Sequence, residues 1–404
     1  MLEPVRTIKP RPWMRESATR RVMRALAAPE GAPRFVGGAV RDTVLGRTPI
    51  EIDVATPLKP EAVMTRLAAA SIRAVPTGIA HGTVTAVAAT RAFEITTLRR
   101  DVEADGRHAT VVFDADWVVD ARRRDFTMNA LSLDAGGALY DYVGGLADLA
   151  AHRVRFVGDP STRIREDVLR LLRYYRFFAH YGQGAGDRAA RAACHAAAHL
   201  LPTLSAERVA AETLKLLAAP DPLPALRMMQ ADGVLKRLLP EAGGLVRLRR
   251  LVALEPQPDP LRRLAALITR DAGAVAERLK LSGAQRDRLM ALFAKPAIAL
   301  DGDRASQRRA LYRWGSALYA DRVLLASAVR NRSQRVAPLL RLARTWKSPR
   351  FPLRGRDLLA AGVAPGPKVG ALLAALEAWW IKGDFRATTT QCRAELLRRL
   401  APHA

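Results

Sequence analysis

The sequence predicts an α+β fold, in which a small mixed-sheet head is followed by helices through the rest of the 404 residues. In the first ~150 residues, short β-like runs alternate with glycine turns. From about Ser161 onward, apolar residues recur at helical spacing instead. The length leaves room for several hydrophobic cores. We therefore expect a head over residues 1–150, a helical neck and body over 151–255, and a helical body and tail over 256–404.

The individual elements follow from local patterns. Ser161 is expected to cap one long amphipathic helix, and Pro367 to Lys382 reads as a late helix whose apolar stripe includes Trp379 and Trp380. We expect both tryptophans in a core rather than on a stacking surface. The candidate strands are Arg34–Val36, Ile50–Ala55, Thr83–Ala88, Phe93–Leu98 and Thr110–Phe113.

The charge balance points to a polyanionic partner. Lys and Arg number 65 against 39 acidic residues, which gives a formal net charge of +26. Nucleic acid is the leading partner class for such an excess. An anionic membrane surface is the weaker alternative, because no single long amphipathic basic helix carries the charge. No apolar run is long enough to span a bilayer, so no membrane partner is expected.

Cysteine and histidine usage gives further expectations. Cys194 and Cys392 lie far apart, which favours a reducing compartment without a disulfide framework. Residues 1–20 lack the apolar centre of a signal peptide, so the cytoplasm is expected. His195 and His199 are separated by three alanines, and no further Cys or His follows at zinc-ligand spacing. We therefore expect no zinc site; the pattern leaves the oligomeric state open.

A glycine turn stands between an apolar strand and a helix near the start of the head. Gly37 and Gly38 follow Phe35-Val36, and Arg41 lies in the first turns of the helix. Glycine lets a backbone approach a phosphate closely, and a helix N-terminus offers free N–H groups to it. Arg41 adds a guanidinium fork for the same anion. By itself such a turn is more often only a tight connection.

Three acidic residues accompany this turn. Glu51 and Asp53 are two apart on the candidate strand Ile50–Ala55, so their side chains should leave the same face. Glu94 lies on another candidate strand. Paired carboxylates can hold Mg²⁺, and two such ions could activate a hydroxyl and steady a departing pyrophosphate. The alternative is a strand with acids on its wet face, but the nearby glycine turn favours a nucleotidyl-transfer site.

The order of these residues resembles one family. Gly37-Gly38-Ala39-Val40-Arg41-Asp42, followed by an acid-x-Asp pair and Ala55-Thr56, resembles the head of class II tRNA nucleotidyltransferases. That family contains the CCA-adding enzymes and the bacterial poly(A) polymerases. Further segments match it in order. They are Arg99 to Ala109, Arg123 to Ala130, Asp141 to Asp148, Arg165 to Arg170, Ser205 to Glu212, and Leu239-Pro240-Glu241.

The resemblance implies template-independent addition of CMP and AMP to the 3′ end of tRNA, from CTP and ATP, with two Mg²⁺ ions and release of pyrophosphate. Glu51 and Asp53 would be catalytic, and with Glu94 they would hold the metal. Asp167 and Arg170, placed three apart on the expected long helix, would read the base, whereas without the resemblance they would be an ordinary surface pair. The other nucleotide-binding positions that it implies are Gly37, Gly38, Arg41, Arg107, Arg124, Asp125, Asn129 and Arg173.

Within this resemblance several alternatives stay open. Asn129 could instead tie the head to the neck. The family has Asp where this chain has Glu51, and a longer side chain there could slow the reaction or mark a non-catalytic RNA-binding relative. The segment after Thr56 lacks the Gly-Arg-Arg-Phe of poly(A) polymerases, which ranks that activity second. Addition of A alone or of CC alone is a third possibility. Gly366-Pro367-Lys368 could seat a tRNA phosphate in the tail.

Overall fold

The computed structural model describes residues 3–29, 31–79, 82–105, 108–113 and 116–401. The chain folds into two compact units, Met1–Pro240 and Glu241–Ala404. The first unit contains the strands together with twelve helices, and the second is built from nine helices, counted over these described residues. The predicted α+β fold is confirmed. None of the helices in the described ranges combines the length and apolarity needed to cross a bilayer.

An eight-stranded mixed sheet forms the centre of the head. Its strand order is β1-β10-β9-β2-β3-β6-β5-β4, while β7 and β8 form a separate antiparallel ribbon. The β3–β6 pair is parallel, and the pairings around it are antiparallel. The strands are β1 Arg6–Thr7, β2 Arg34–Val36, β3 Ile52–Thr56, β4 Arg73–Gly78, β5 Thr83–Ala88, β6 Arg91–Thr97, β7 Arg99–Asp105, β8 His108–Phe113, β9 Ser132–Leu133 and β10 Ala138–Tyr140.

The predicted strands agree with the structure to different degrees. Arg34–Val36 and Thr83–Ala88 are confirmed residue for residue. The strand expected from Ile50 begins two residues later, at Ile52, because Ile50 is exposed and Glu51 lies in a bend. The strand Arg73–Gly78 was not predicted, since it is an edge strand with an irregular burial pattern instead of strict alternation.

The helices of the first unit connect the strands and then pack on one another. Those in the head are α1 Pro12–Arg15, α2 Ser17–Leu26, α3 Gly38–Val44, α4 Pro60–Ala69, α5 Trp117–Arg122 and α6 Gly145–Ala150. Those that follow are α7 Pro160–Glu166, α8 Leu169–Tyr181, α9 Arg188–Ala197, α10 Ala206–Leu217, α11 Leu223–Ala231 and α12 Val234–Leu238. Two 3-10 segments, Thr127–Asn129 and Ala198–Thr203, complete the unit.

The long helix expected from Ser161 is two helices. Asp159 caps α7 by accepting a hydrogen bond from the Thr162 N–H at 2.7 Å, so the helix begins at Pro160. Asp167 then takes extended dihedrals, φ −153° and ψ 106°, and ends α7. Helix α8 begins at Leu169, and its apolar side carries the buried Tyr174, Tyr175 and Phe178. The apolar spacing runs through the break, which is why the sequence pattern hid it.

Two hydrophobic clusters can be described in the second unit. One contains Leu311, Tyr319 and Val323 of the helix Arg304–Arg330, together with Leu339 and Ala343 of the helix Val336–Thr345. The other surrounds the buried Trp380 and draws on the helices Gly355–Ala360, Pro367–Lys382 and Thr389–Leu400. The predicted helix Pro367–Lys382 is confirmed, and Trp379 is partly buried against the same core. The helices are α13 Val246–Leu254, α14 Pro260–Leu267, α15 Ala272–Arg278, α16 Gly283–Phe293, α17 Arg304–Arg330, α18 Val336–Thr345, α19 Gly355–Ala360, α20 Pro367–Lys382 and α21 Thr389–Leu400.

An aromatic cluster fixes the 3-10 turn Thr127–Asn129 against α8. The Phe126 ring centroid lies 4.7 Å from that of Phe156 and 5.0 Å from that of Phe177. From the other side, α6 closes on the same turn, because a β-carbon on Gly145 would stand 2.1 Å from the Thr127 carbonyl oxygen. Only glycine allows that approach. The turn that carries Asn129 is thus clamped between α6 and α8.

Replacing Gly145 by alanine should therefore destabilise the protein by about 1–3 kcal/mol, since the obstacle is backbone and the clash needs a main-chain shift. Gly78→Ala is the matched control, because its added β-carbon meets Thr83 at an ordinary 3.6 Å. Thermal unfolding of the two variants checks this. Equal melting temperatures would show that α6 moves away without cost.

Candidate active site

The Gly37–Gly38 turn places the backbone beside an acidic and a basic side chain. Gly37 has φ +64° and ψ −131°, a conformation that favours glycine, and Gly38 opens α3. A β-carbon on Gly37 would stand 3.4 Å from Asp53 Oδ2 and 3.7 Å from Arg124 Nη1. The start of α3, one carboxylate and one guanidinium therefore meet at a single point. Free N–H groups of the helix start and Arg124 together favour an anion there.

Sheet register brings the acidic residues of two strands together. Asp53 pairs with Glu94 across the parallel β3–β6 ladder, and with Val36 across the β2–β3 ladder. Paired residues project to the same face of a sheet. Burial raises the pKa of Asp53 to about 6, with the negative charges of Glu94 and Glu51 adding to the effect and the charges of Arg124 and Arg41 opposing it.

The position of Glu51 differs from the sequence argument. Because β3 starts at Ile52, Glu51 precedes the strand and is exposed, so strand alternation does not fix its direction. Its negative charge nevertheless acts on Asp53. The sheet therefore fixes the backbone positions of Asp53 and Glu94, whereas Glu51 is positioned only by its link to Ile52, the first residue of β3.

These acids suit a metal that takes part of its shell from elsewhere. Among the residues that the structure describes, no group of three or more His, Cys, Asp or Glu side chains is arranged to hold a metal. Mg²⁺ is commonly bound by one or two carboxylates, with water and substrate phosphates completing its shell. Burial is the main cause of the raised pKa of Asp53, and the negative charges of Glu94 and Glu51, which a divalent cation would offset, add to it. The residues therefore fit a substrate-dependent magnesium site, and not a closed structural one.

A chain of hydrogen bonds connects α3 with α8. Arg41 Nη1 donates to Asn129 Oδ1 at 2.8 Å, and Asn129 Nδ2 donates to Asp125 Oδ1 at 3.1 Å. Arg173 Nε then donates to Asp125 Oδ2 at 2.8 Å. Burial alone would raise the pKa of Asp125, but Arg173 and Asn129 hold it below its usual value. Four of the predicted site residues are brought together, and Asn129 does tie the head to α8.

A positioning residue that the sequence argument missed is Asp120. Its carboxylate is buried and accepts bidentate bonds, from Arg124 Nη2 at 2.9 Å and from Arg123 Nη2 at 2.6 Å. Asp120 thereby holds Arg124 beside Gly37. The available signal was its spacing, three and four residues before two arginines on a short helix.

Asp167 and Arg170 do not pair with each other. Asp167 Oδ2 accepts from Arg208 Nη2 of α10 at 2.7 Å, and Asp167 Oδ1 accepts from the Leu169 N–H at 3.1 Å. Arg170 instead forms an ion pair with Glu166 and donates to the Arg163 carbonyl at 3.1 Å. The reason is the break at Asp167, which removes the helical geometry on which a face-sharing i, i+3 pair depends.

The remaining predictions concern Arg107, two histidines and two cysteines. Arg107 lies outside the described residues. His195 Nδ1 lies 3.0 Å from the Asp232 carbonyl oxygen and His199 Nδ1 lies 2.8 Å from the Ala196 carbonyl oxygen, so each imidazole has a local backbone partner. Cys194 and Cys392 are buried free thiols.

The negative charge on Asp53 should lower the free energy of unfolding. Its folded pKa of about 6 exceeds the value of 3.8 expected without the fold, so the wild-type protein loses stability as pH rises from about 4 to about 6. Asp53→Asn removes that charge. Relative to wild type, the variant should gain up to about 3 kcal/mol above pH 6 in EDTA, and the gain should disappear near pH 4.

Thermal unfolding across that pH range measures the difference. Asp287→Asn is the control, since the Asp287 side chain is 76% exposed. Added Mg²⁺ at pH 7.5 should stabilise wild type and not Asp53→Asn. A pH-independent difference between Asp53→Asn and wild type would contradict the raised pKa.

Comparison with known proteins identifies the family of this arrangement. Residues 33–155 match the poly A polymerase head domain, and residues 187–243 match the probable RNA and SrmB-binding site of polymerase A. The mitochondrial CCA tRNA nucleotidyltransferase 1 of Danio rerio is 33% identical over 381 residues, covering 90% of this chain and 86% of that protein. The CCA-adding enzyme of Levilactobacillus brevis is 32% identical, covering 87% and 90%.

A solved structure extends the likeness to the fold. The crystal structure of the Bacillus stearothermophilus CCA-adding enzyme in complex with CTP aligns with a TM-score of 0.77 and 27% identity, over 95% of this chain and 98% of that one. With the glycine turn, the strand-borne acids and these relatives in agreement, the chain belongs to the CCA tRNA nucleotidyltransferase family.

Proposed function

We propose that this protein adds CMP and AMP to the 3′ end of tRNA, without a nucleic acid template, from CTP and ATP. One observation carries the proposal: the Asp53 carboxylate lies against Gly37 at the start of α3, with Arg124 beside it. That arrangement offers donors for a triphosphate and an acceptor for a proton at the same point. The relatives named CCA-adding enzymes support the choice of substrate.

In the proposed reaction the terminal 3′ hydroxyl attacks the α-phosphate of the bound nucleotide. The new phosphodiester bond forms while the bond to the β-phosphate breaks, and pyrophosphate leaves with the bonding electron pair. N–H groups at the start of α3, with Arg124, hold the triphosphate. Asp53, whose carboxylate lies at the same point, takes the hydroxyl proton.

Magnesium completes the site in this proposal. Asp53 and Glu94 would hold it from the paired strands, and Glu51 would contribute from the bend before β3. Two Mg²⁺ ions bound there would offset charge on the attacking hydroxyl and on the departing pyrophosphate. The family's general use of divalent metal ions agrees with the acids found here.

The nucleotide would extend from the glycine turn toward α8. Hydrogen bonds through Asn129 and Asp125 join Arg41 to Arg173. They connect the phosphate-binding end of the proposed site with α8, the helix that follows Asp167. We assign base reading to Asp167 and Arg170, and the sugar to the Asp125–Asn129 segment. Arg107 is proposed to act from its loop.

The basic excess and the thiols complete the proposal. The net charge of +26 suits a tRNA partner, whose phosphates make binding fall steeply with salt. We propose that the region 256–404, including Lys368 at the start of α20, contributes to that contact. Two buried free cysteines fit a reducing compartment, and we include the cytoplasm in the proposal.

Labelled CTP and ATP, supplied with tRNA that lacks its last three nucleotides, test the activity. We expect two CMP additions followed by one AMP, dependent on Mg²⁺. Long A tails from ATP alone on an unstructured RNA would instead show a poly(A) polymerase. Incorporation that stops after CC, or that needs a CC end, would identify a partial enzyme, and no incorporation at all would contradict the proposal.

Glu51→Asp tests whether the unusual acid limits the rate. Aspartate is shorter by one methylene, so its oxygens would sit about 1 Å or more from those of glutamate. If the natural side chain places its oxygens poorly, CMP addition should accelerate by up to roughly a hundredfold. Single-turnover rates measure this, with Glu61→Asp on α4 as the control. A slower Glu51→Asp enzyme would show that the site is built around glutamate.

A further inference from the structure

A cavity of about 280 Å³ in the second unit is lined by four cations. Helices α13, α14, α16 and α17 each contribute to its wall, and the cations are Arg247, Lys295, Arg322 and Arg330. Among the residues that the structure describes, no aspartate or glutamate lines this cavity. A recess with charges of one sign attracts an ion of the opposite sign, so the lining favours an anion.

Two of these cations are held by the carboxyl ends of helices. Arg247 Nε donates to the Ala266 carbonyl oxygen, in the last turn of α14, at 2.5 Å. Arg322 Nη2 donates to the Ala294 carbonyl oxygen directly after α16, and to that of Pro296 at 3.0 Å. Both arginines therefore cap helix ends, which accounts for their place in the fold.

Capping leaves part of the positive charge without compensation. The carboxyl end of a helix carries roughly half a negative charge, so each contact offsets only about half of a guanidinium charge. Burial lowers the pKa of Arg247 and of Arg322, and no charge in the described part of the chain raises it again. Burial lowers the pKa of Arg262 as well, but Glu255 and Asp321 raise it above its usual value. The fold thus supplies acids to Arg262 and none to the two arginines of the cavity.

The remainder of the wall is largely apolar and partly open to solvent. Phe293, Leu325 and Val329 line it, and Val329 is 54% exposed. Lys295 is exposed, whereas Arg322 is only 5% exposed. A small molecule can reach a guanidinium that is buried to this extent more readily than a phosphate on the backbone of a folded RNA can.

We propose that this cavity binds a small organic phosphate, with its phosphate on the four cations and its apolar part on Phe293 and Leu325. A phosphate carries up to two negative charges and matches the guanidinium fork, so four cations favour it over a single carboxylate. Since a water molecule occupies about 30 Å³ of the liquid, the space suits roughly a phosphate joined to one ring. An apolar wall with a few polar anchors is typical of ligand pockets. The Gly37 turn, which belongs to the first unit, takes no part in this site.

Phenyl phosphate is the probe, and calorimetric titration of the full chain in EDTA at low salt measures its binding. We expect it to bind more tightly than inorganic phosphate, because only the phenyl ring uses the apolar wall. The double variant Lys295→Glu, Arg330→Gln should weaken binding roughly tenfold or more. Both side chains are exposed, so the melting temperature should change little. Arg249→Gln is the control, since Arg249 is exposed on α13 and lies outside the cavity lining.

Three results would overturn the proposal. Unchanged binding in the double variant would show that phenyl phosphate is held elsewhere, for example at the glycine turn. Equal affinity for inorganic phosphate would remove the organic part of the ligand. Displacement of phenyl phosphate by tRNA would show that the cavity takes an RNA phosphate and not a small molecule. None of these titrations requires nucleotide addition, so their failure leaves the proposed function untouched.

Discussion

The candidate active site depends on placing a negatively charged side chain, that of Asp53, beside the Gly37 turn. A β-carbon on Gly37 would stand 3.4 Å from Asp53 Oδ2, and the positive φ of this residue favours glycine. Burial and two neighbouring acids make the charge costly. The fold tolerates that cost because the sheet core on either side of Asp53 is tightly packed: Ile52 and Val54 are almost fully buried. Site chemistry and fold stability therefore oppose each other at one residue.

Around this point the structure uses arginine in three distinct ways. Arg124 is oriented by the buried Asp120, Arg41 is fixed by Asn129 and by the Tyr181 ring 4.2 Å from its guanidinium carbon, and Arg173 neutralises the buried Asp125. Each guanidinium is held by a planar or bidentate partner, a geometry that lysine cannot reproduce. Some of the arginines thus serve internal contacts, so not every basic residue is available to a polyanion.

Patterns of local order predicted five of the ten strands that the structure describes, among them those nearest the site. The Gly37–Gly38 turn, the strand Arg34–Val36 and the acids of β3 and β6 are visible in the sequence because each has a short-range signal. The break at Asp167 was missed because the apolar residues keep their helical spacing from α7 into α8. Only the backbone of Asp167 departs from helical dihedral angles. A long-range partner such as Arg208 for Asp167 depends on how elements pack, which periodicity does not encode, whereas the Asp120–Arg124 pair had a local i, i+4 signal.

The parallel pairing of β3 with β6 has a consequence for how the site assembles. Two parallel neighbours cannot be joined by a tight turn, so α4, β4 and β5 intervene before Glu94 arrives opposite Asp53. The glycine turn can form early, because its residues are neighbours along the chain. Asp53 and Glu94 come together only after the connection through α4, β4 and β5 has folded and β6 has paired with β3. Loop closure of that kind is among the slower steps in forming a sheet. We therefore expect the Asp53–Glu94 pair to form later in folding than the glycine turn beside it.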